Sequence, residues 1–336
     1  MRNHGITLDP YWERFEDAAR SAVIAGGIAS MSYFRGVLAD PKLVSDAINA
    51  ATTADVQSTA AILLSLNTTI PNLAGEVNLG HSIFAEELDG VGSDEPLSHL
   101  IDRLGATATH VKRTAGEFEK SFDSCIGVLF DAIDGTTNFR TGLPLFCSAM
   151  ALFIGGEPRV GAVYDPCRNV VYYGSLRETG IPLIATASMW HVSSGMRQKL
   201  NVRDEISVTR DTARPRRLIA THLTRSDAAK RLELLKCLAC LQSIEGTFMI
   251  NSGQLSLALL ASGHFSAYIN NYTNTWDIAA GEVLVRAVGG QVTDFNGHPV
   301  QYGGGAKVNV IASTDEQLHD EILTVVGRGY SAGLAI

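Results

Sequence analysis

Two aspartates three positions apart, Asp131 and Asp134, close the apolar run CIGVLF and lead straight into Gly135, Thr136, Thr137 and Asn138. Carboxylates delivered that close together by a buried strand raise each other's pKa, and a bound cation reverses the effect. The glycine and threonines behind them open a turn or helix start, where N–H groups outside the helix's own bonds suit a phosphate oxygen. Two further acids share this local grammar: Glu86 in IFAEELDG and Asp277 in TNTWDIAAGEVLV, each at the end of an apolar or aromatic run. An all-oxygen set without histidine or cysteine suits a hard cation such as magnesium far better than zinc. A lone DxxD is most often a solvated turn; the strand before this one and the GTTN after it point instead to a magnesium site that handles phosphate.

Other chemistries find less support. An aspartyl-phosphate phosphatase carries DxDGT, whereas this chain has DxxDGT, one residue longer, which misdirects the nucleophile, and no GDxxxD or DD pair follows. There is no GxSxG, and none of the nine histidines has a motif partner, so His222 and His264 read as surface or structural residues. The GGG at 303–305 lacks the strand–GxGxxG–helix context of a dinucleotide site and reads as a loop.

The elements that must position these acids follow from pattern and punctuation. Asp9 and Pro10 form an N-cap and N1 pair opening a helix through about Tyr33, broken around Asp40 and Pro41. A second helix is expected over about 54–66, stopped before Pro71, with 72–81 a loop or short strand leading to Ile83 and Phe84. An Asp-Gly turn is expected at 89–90, and 97–120 is polar and ambiguous. FCSAMALFI, RVGAVYDP and NVVYYGSL read as successive strands of one antiparallel sheet. Residues 190–217, with Arg214, Arg216 and Arg217, read as a solvated connector. Then come a strand (RRLIATHL), two helices (SDAAKRLELLKCLACLQS and SGQLSLALLASG) and a strand (FSAYIN). A helix (WDIAAGEVLVRAVGG, ended by Gly289 and Gly290) and late strands in QVTDF and VNVIAS complete the pattern. No repeat or low-complexity segment is present. Alternating helices and strands imply a layered α/β sandwich.

Composition sets the outer limits. A chain of 336 residues suits one large or two closely joined units, and 46% hydrophobic with 18% charged residues is an ordinary soluble globular balance. A net charge of −8 argues against a nonspecific nucleic-acid binder; it leaves a small anionic substrate open, since a few local cations reverse the field in a cleft. Five cysteines without framework spacing suit a reducing compartment. Cys237 and Cys240 form a CxxC on an apolar helix and read as core packing. No secretory signal pattern opens the chain. SAVIAGGIASMSYF falls below the roughly 18 residues of a membrane span. A cytoplasmic location is expected.

DAIDGTTNF resembles the DPIDGTTNF signature of the inositol monophosphatase superfamily, the lithium-sensitive, magnesium-dependent phosphatases. WDIAAGEVLVRAVGG resembles its second signature, WDxAAGxxLxxEAGG. GAVYDP and NSGQLSLALLASG are similar to the family's GVVYDP and GSAALDLALVASG, and the resemblance spans residues 11–325. It implies an α/β (α+β) fold, a layered αβαβα sandwich with mixed and antiparallel sheets. An N-terminal part (1–185) would carry Glu86 and DAIDGTTNF, and a C-terminal part (186–336) the WDIAAG ligand and the substrate wall. It further implies that Glu86, Asp131, Asp134, Asp277 and the Ile133 carbonyl hold two Mg2+ ions, Asp131 bridging them, with a third, weaker ion near Glu86.

By the same resemblance Gly135 and Thr136 cradle phosphate, Thr136 and Glu86 activate the attacking water, and Asp55 supports that threonine. Asn270, Ser252 and Gly253 belong to the substrate wall. The implied reaction is direct in-line attack by metal-activated water on a small phosphorylated polyol or sugar, without a phosphoenzyme. Inositol monophosphate leads; fructose 1,6-bisphosphate and histidinol phosphate follow, and the adenosine bisphosphate branch, with DGTKEF, is further away. A homodimer and lithium inhibition are implied, with no membrane and no nucleic-acid partner. A family member recruited as a regulatory protein-binding module is the alternative. This chain departs from the pattern at Ala85 and Ala132, which replace glycine and proline, at Thr59, which replaces a glutamate, and at Asn251 and Gly253. Asn270 stands where inositol phosphatases have a glutamate seven residues before the WD aspartate; an amide both donates and accepts.

Overall fold

Period-two alternation along the strands decides the layers. In the computed structural model the described residues are 8–39, 47–67, 69–86, 125–177, 184–200, 217–223, 227–302 and 307–331. A 3-10 turn (Asp9–Tyr11) leads into α1 (Trp12–Ala39), followed by α2 (Ala47–Leu66), α3 (Thr69–Glu76), β1 (Gly80–Ala85), β2 (Cys125–Asp134) and α4 (Thr136–Arg140). Strands β3 (Cys147–Ile154), β4 (Glu157–Asp165), β5 (Val170–Arg177), β6 (Ile184–His191) and β7 (Met196–Lys199) come next. The second half runs β8 (Leu218–Thr221), α5 (Ala228–Cys240), β9 (Gly246–Met249), α6 (Gly253–Ala261) and β10 (Ala267–Thr273). A 3-10 turn (Thr275–Asp277), α7 (Ala279–Ala287), β11 (Gln291–Thr293), β12 (Val308–Ser313) and α8 (Glu316–Ser331) complete it.

The first sheet has the order β1-β2-β3-β4-β5-β6-β7, with β1 and β2 parallel and every other pair antiparallel. The second has the order β11-β12-β10-β8-β9 and is mixed. Along β3, Met150, Leu152 and Ile154 pack with α1 and α2 on one face, while Ala149, Ala151 and Phe153 pack with α6 and α7 on the other. In the second sheet Ala220, Tyr268, Val310 and Ala312 face α6 and α7, and Ile219, Ile269 and Ile311 face α5 and α8. The layers are therefore helix, sheet, helix, sheet, helix, because the central strands of each sheet bury both of their faces.

Several elements differ from the sequence reading. Helix α1 continues to Ala39 and α2 begins at Ala47. Pro71 does not end a helix: it is the third residue of α3, within the first turn, where its missing N–H has no intrahelical partner to lose. The expected connector at 190–217 is strand over much of its first part, in β6 and β7, so the boundary expected after residue 185 falls inside β6. Arg217 pairs with Asp315 ahead of α8, 2.9 Å; Arg214 and Arg216 lie outside the described residues, as do the 89–90 turn, 97–120 and the GGG at 303–305. On α5, Cys237 is half-buried but Cys240 is exposed, so only the first packs against the core. Strand β9 and helix α8 carry no strong local signal and were not expected. The stop at Gly289 is as read: it takes φ 84° just past α7, and Gly290 N–H donates to Val285 O, 2.9 Å.

Candidate active site

Strand register brings the first two acids together. β1 and β2 run parallel with Ala85 opposite Phe130, so Glu86 and Asp131 leave the carboxyl ends of neighbouring strands side by side. Asp131 and Asp134 are an odd number of residues apart and would face opposite sides of a regular strand. A bulge prevents this: Asp131 pairs with Ala149 but Asp134 with Cys147, giving β2 one residue more than β3 over the same span. Both aspartates consequently face the α6–α7 layer. Asp277 arrives from the second half on its 3-10 turn, its Oδ2 accepting from Thr273 Oγ1 at 2.9 Å and Asn274 N at 3.0 Å.

Glu86, Asp131 and Asp277 each offer an oxygen, all within 4.8 Å of one another. They line a cleft of about 290 Å³ together with Asp134, Gly135 and Thr136. Asp131 Oδ1 accepts from Ile133 N at 3.0 Å, which fixes the carboxylate against its own strand. Burial, then the charge of Asp277, pushes the Asp134 carboxyl up to about 7. Its Oδ2 is held from behind by Ser252 Oγ and Gln254 N, both at 2.7 Å, at the N-terminus of α6, where partial positive charge favours an anion. Burial also raises Asp277, against the opposing fields of Lys307 and His222. On α2, Asp55 is pushed up to about 7 by burial and by Glu86, with Arg140 opposing.

The remaining expected residues are placed as follows. Gly135 adopts φ 95° and caps α4, and the Thr136 hydroxyl donates to Ile133 O at 3.1 Å. That bond replaces the expected Asp55–Thr136 contact; Asp55 Oδ1 is buried with no hydrogen-bond partner among the described residues. Ser252 and Gly253 sit behind the wall rather than on it, because their Oγ and N–H are directed at Asp134; Asn251, with φ 56°, is the neighbour that reaches the cleft. Asn270 does reach it, but its Oδ1 accepts from Tyr272 N (3.1 Å) and its Nδ2 donates to Tyr268 OH (3.2 Å).

The inositol monophosphatase family model matches residues 13–329 of this chain. The chain belongs to the inositol monophosphatase family. Within the wider superfamily, the Nus factor SuhB of Pasteurella multocida is 32% identical over 206 residues, covering 61% of this chain and 70% of that protein. The fructose-1,6-bisphosphatase/inositol-1-monophosphatase of Thermococcus kodakarensis is 27% identical over 257 residues, 74% of this chain and 86% of that protein. An inositol monophosphatase structure from Anabaena shares the fold, with TM-score 0.63 at 22% identity over 94% of this chain and 96% of that one. The αβαβα sandwich is that of this family.

Five contributors escaped the sequence reading. His222, taken as surface or structural, lines the cleft with Lys307 and Tyr272; all three lie outside any motif, and only strand order gathers them. Gln254 is buried and joins three segments: its N–H holds Asp134, its Nε2 donates to Trp276 O at 2.6 Å, and its Oε1 accepts from Gly281 N at 2.7 Å. A glutamine at the start of a helix otherwise built of glycine, serine, alanine and leucine was the available signal. Asn138, the last residue of GTTN, donates to Leu145 O and Ile250 O, both 2.6 Å, and so ties the turn to the segment entering α6.

Proposed function

We propose that the protein is a magnesium-dependent phosphomonoesterase acting on a small phosphorylated polyol or sugar, with inositol monophosphate first among the substrates. The carrying observation is the convergence of Glu86, Asp131 and Asp277 within 4.8 Å beside the Gly135–Thr136 turn. The donors fit hard cations: they are all oxygens, and burial holds Asp134 and Asp277 towards protonation unless positive charge arrives. Glu86, Asp131 and Ile133 O would hold one Mg2+, and Asp131, Asp134 and Asp277 a second, with a third, weaker ion near Glu86. Such ions supply charge that offsets phosphate and carboxylates and acidify water.

The chain's own groups do the rest. The Thr136 proton is committed to Ile133 O, so its oxygen is left to accept a hydrogen bond from the attacking water. Glu86 takes the water's proton, with Asp55 behind it as a carboxyl that exchanges protons near neutrality. Gly135 and Thr136 position the phosphoryl group, and the second Nδ2 hydrogen of Asn270 is left for a substrate hydroxyl. Lithium inhibits by entering the same oxygen donors. A homodimer is proposed on the half-exposed Phe248 and Met249 of β9, the last strand of the second sheet among the described residues, with an apolar surface. The cysteines described as free support a cytoplasmic location.

The test is phosphate release across inositol phosphates, fructose 1,6-bisphosphate, histidinol phosphate and nucleotide phosphates, with and without magnesium. Asp131→Asn is expected to cut turnover by about a hundredfold or more with the circular dichroism spectrum unchanged; a wild-type rate in that variant would sink the reading. A second reading, a regulatory binding role, is favoured by the similarity to the Pasteurella protein named as a Nus factor. Asp131→Asn separates the two, since it removes catalysis and leaves a binding surface in place. The acidic net charge supports protein rather than nucleic-acid partners.

A further inference from the structure

A second cavity, of about 490 Å³, opens elsewhere along the first sheet and shares no residue with the acidic cleft. Helix α1 forms one wall and strands β5, β6 and β7 the other; β5 is three strands away from β2. Glu13, Glu16, Asp17 and Arg20 recur at helical spacing and share one face of α1. From the sheet come Tyr173 and Arg177 of β5, Thr186 of β6 and Arg197 of β7. Three carboxylates and three guanidinium groups line the cavity, so it carries no net charge, but the signs are divided. Every carboxylate belongs to α1. The guanidinium groups issue from the sheet or lie against it: that of Arg20 stands 5.0 Å from the ring centroids of both Tyr173 and Trp190, and that of Arg197 5.2 Å from the Tyr173 centroid. Two opposite pairs are closed, Arg20 with Asp17 at 2.6 Å and Arg177 with Glu16 at 3.0 Å. Glu16 also accepts from the Ser175 and Thr186 hydroxyls. Glu13 and Arg197, one of each sign, have no ion-pair partner among the described residues. The Tyr173 side chain is 1% exposed, and its hydroxyl has no hydrogen-bond partner among the described residues. A buried hydroxyl left unpaired costs free energy that a ligand's polar atom recovers.

We infer that this cavity binds a small zwitterion of the amino-acid type, its ammonium group against Glu13 on α1 and its carboxylate against Arg197 on β7. The inference does not depend on the phosphatase reading. Charge complementarity selects the class. A simple anion would meet the α1 carboxylates, and a simple cation the guanidinium groups. A ligand bearing both signs meets each wall with the opposite charge and leaves the cavity neutral. Stacking on Tyr173 holds the Arg197 guanidinium at the wall, while its N–H groups remain for a carboxylate, which such a fork binds by two parallel bonds. The volume falls within the range of small-molecule sites, about 300–1,000 Å³. The competing account is that the cavity holds only water around a network of ion pairs, with solvent serving Glu13 and Arg197.

Calorimetric titration of the full-length, metal-free protein with each of the standard amino acids separates these accounts. At least one is expected to bind saturably. Its methyl ester, which lacks the negative charge, and its N-acetyl derivative, which lacks the positive one, should each bind about tenfold more weakly or worse. Arg197→Gln should weaken the amino acid by a similar factor and leave the methyl ester unchanged. Glu13→Gln should weaken it likewise and leave the N-acetyl derivative unchanged. Both side chains are exposed and free of ion pairs among the described residues, so neither substitution threatens the fold. No binding by any amino acid overturns the inference and leaves the water-filled network. An ester or N-acetyl derivative that binds as tightly as its amino acid overturns it as well, since the site then reads one charge alone. Binding that survives both substitutions at wild-type strength puts the ligand elsewhere on the protein and also overturns it.

Discussion

Gly135 shows how narrowly the local chemistry constrains a single residue. Its φ of 95° lies where L side chains rarely go, and a Cβ there would stand 2.9 Å from Leu145 O and 3.1 Å from the Ser252 Cβ. Neither the carbonyl nor the start of α6 yields easily, because Asn138 and Asp134 pin both. Gly135→Ala is therefore expected to destabilise the protein by about 1–3 kcal/mol in denaturant unfolding and to lower phosphatase activity by displacing Thr136. Residue type was the most legible level of the sequence: the acids Glu86, Asp131, Asp134 and Asp277 and the Gly135–Thr136 turn stood out by their runs and spacing, and the structure gathers them in one cleft. Partners were less legible. The Thr136 hydroxyl donates to Ile133 O rather than to Asp55, a choice made by the tight α4 turn and not by composition.

Among the elements, the β2 bulge and the α6 start do the positioning. The bulge converts an odd separation into a shared face, which a sequence pattern with period two predicts the other way. Gln254 then links α6 to the Trp276–Asp277 turn and to α7. Gln254→Leu keeps the apolar pattern of α6 but strands a buried carbonyl and a buried N–H. It is expected to cost about 2–5 kcal/mol of stability in chemical denaturation and to weaken magnesium binding in a calorimetric titration, because Asp277 loses its support. The periodic helices were readable from sequence because one face of each is buried, and the three central strands because both of their faces are. α3 was misread because Pro71 looks like a stop until its place in the first turn is known. β9 has an exposed or half-exposed residue at every position and so shows no apolar alternation to detect.

At the scale of the whole molecule, two halves bring their acids to one place, and the electrostatic strain of doing so is measurable. Asp134 and Asp55 are both raised to about 7, chiefly by burial, from an unfolded range of about 4. In the metal-free protein the folded state then holds protons that the unfolded state has released between about pH 4 and 7. These two groups stabilise the fold at low pH, and that contribution is lost as pH rises through 7. Magnesium, binding the deprotonated form, should raise the melting temperature by several degrees at pH 8 and by much less at pH 5. A magnesium shift equal at both pH values would show that these carboxylates do not couple to the ion. Lys307, Tyr272 and His222 belong to the same scale, since they meet at the cleft only through the order of three strands.

By itself the sequence determined the family, the layered fold and the acidic half of the site, because those rest on local features: apolar runs, turn residues and acids set at the ends of buried strands. The tertiary structure alone decided which face Asp134 presents, that Ser252 and Gly253 stand behind Asp134 instead of on the wall, and that a lysine and a histidine join the acids in the cleft. Those outcomes depend on register, on one extra residue in β2 and on long-range hydrogen bonds between segments more than a hundred residues apart. They are set by packing, which no short window of residues contains.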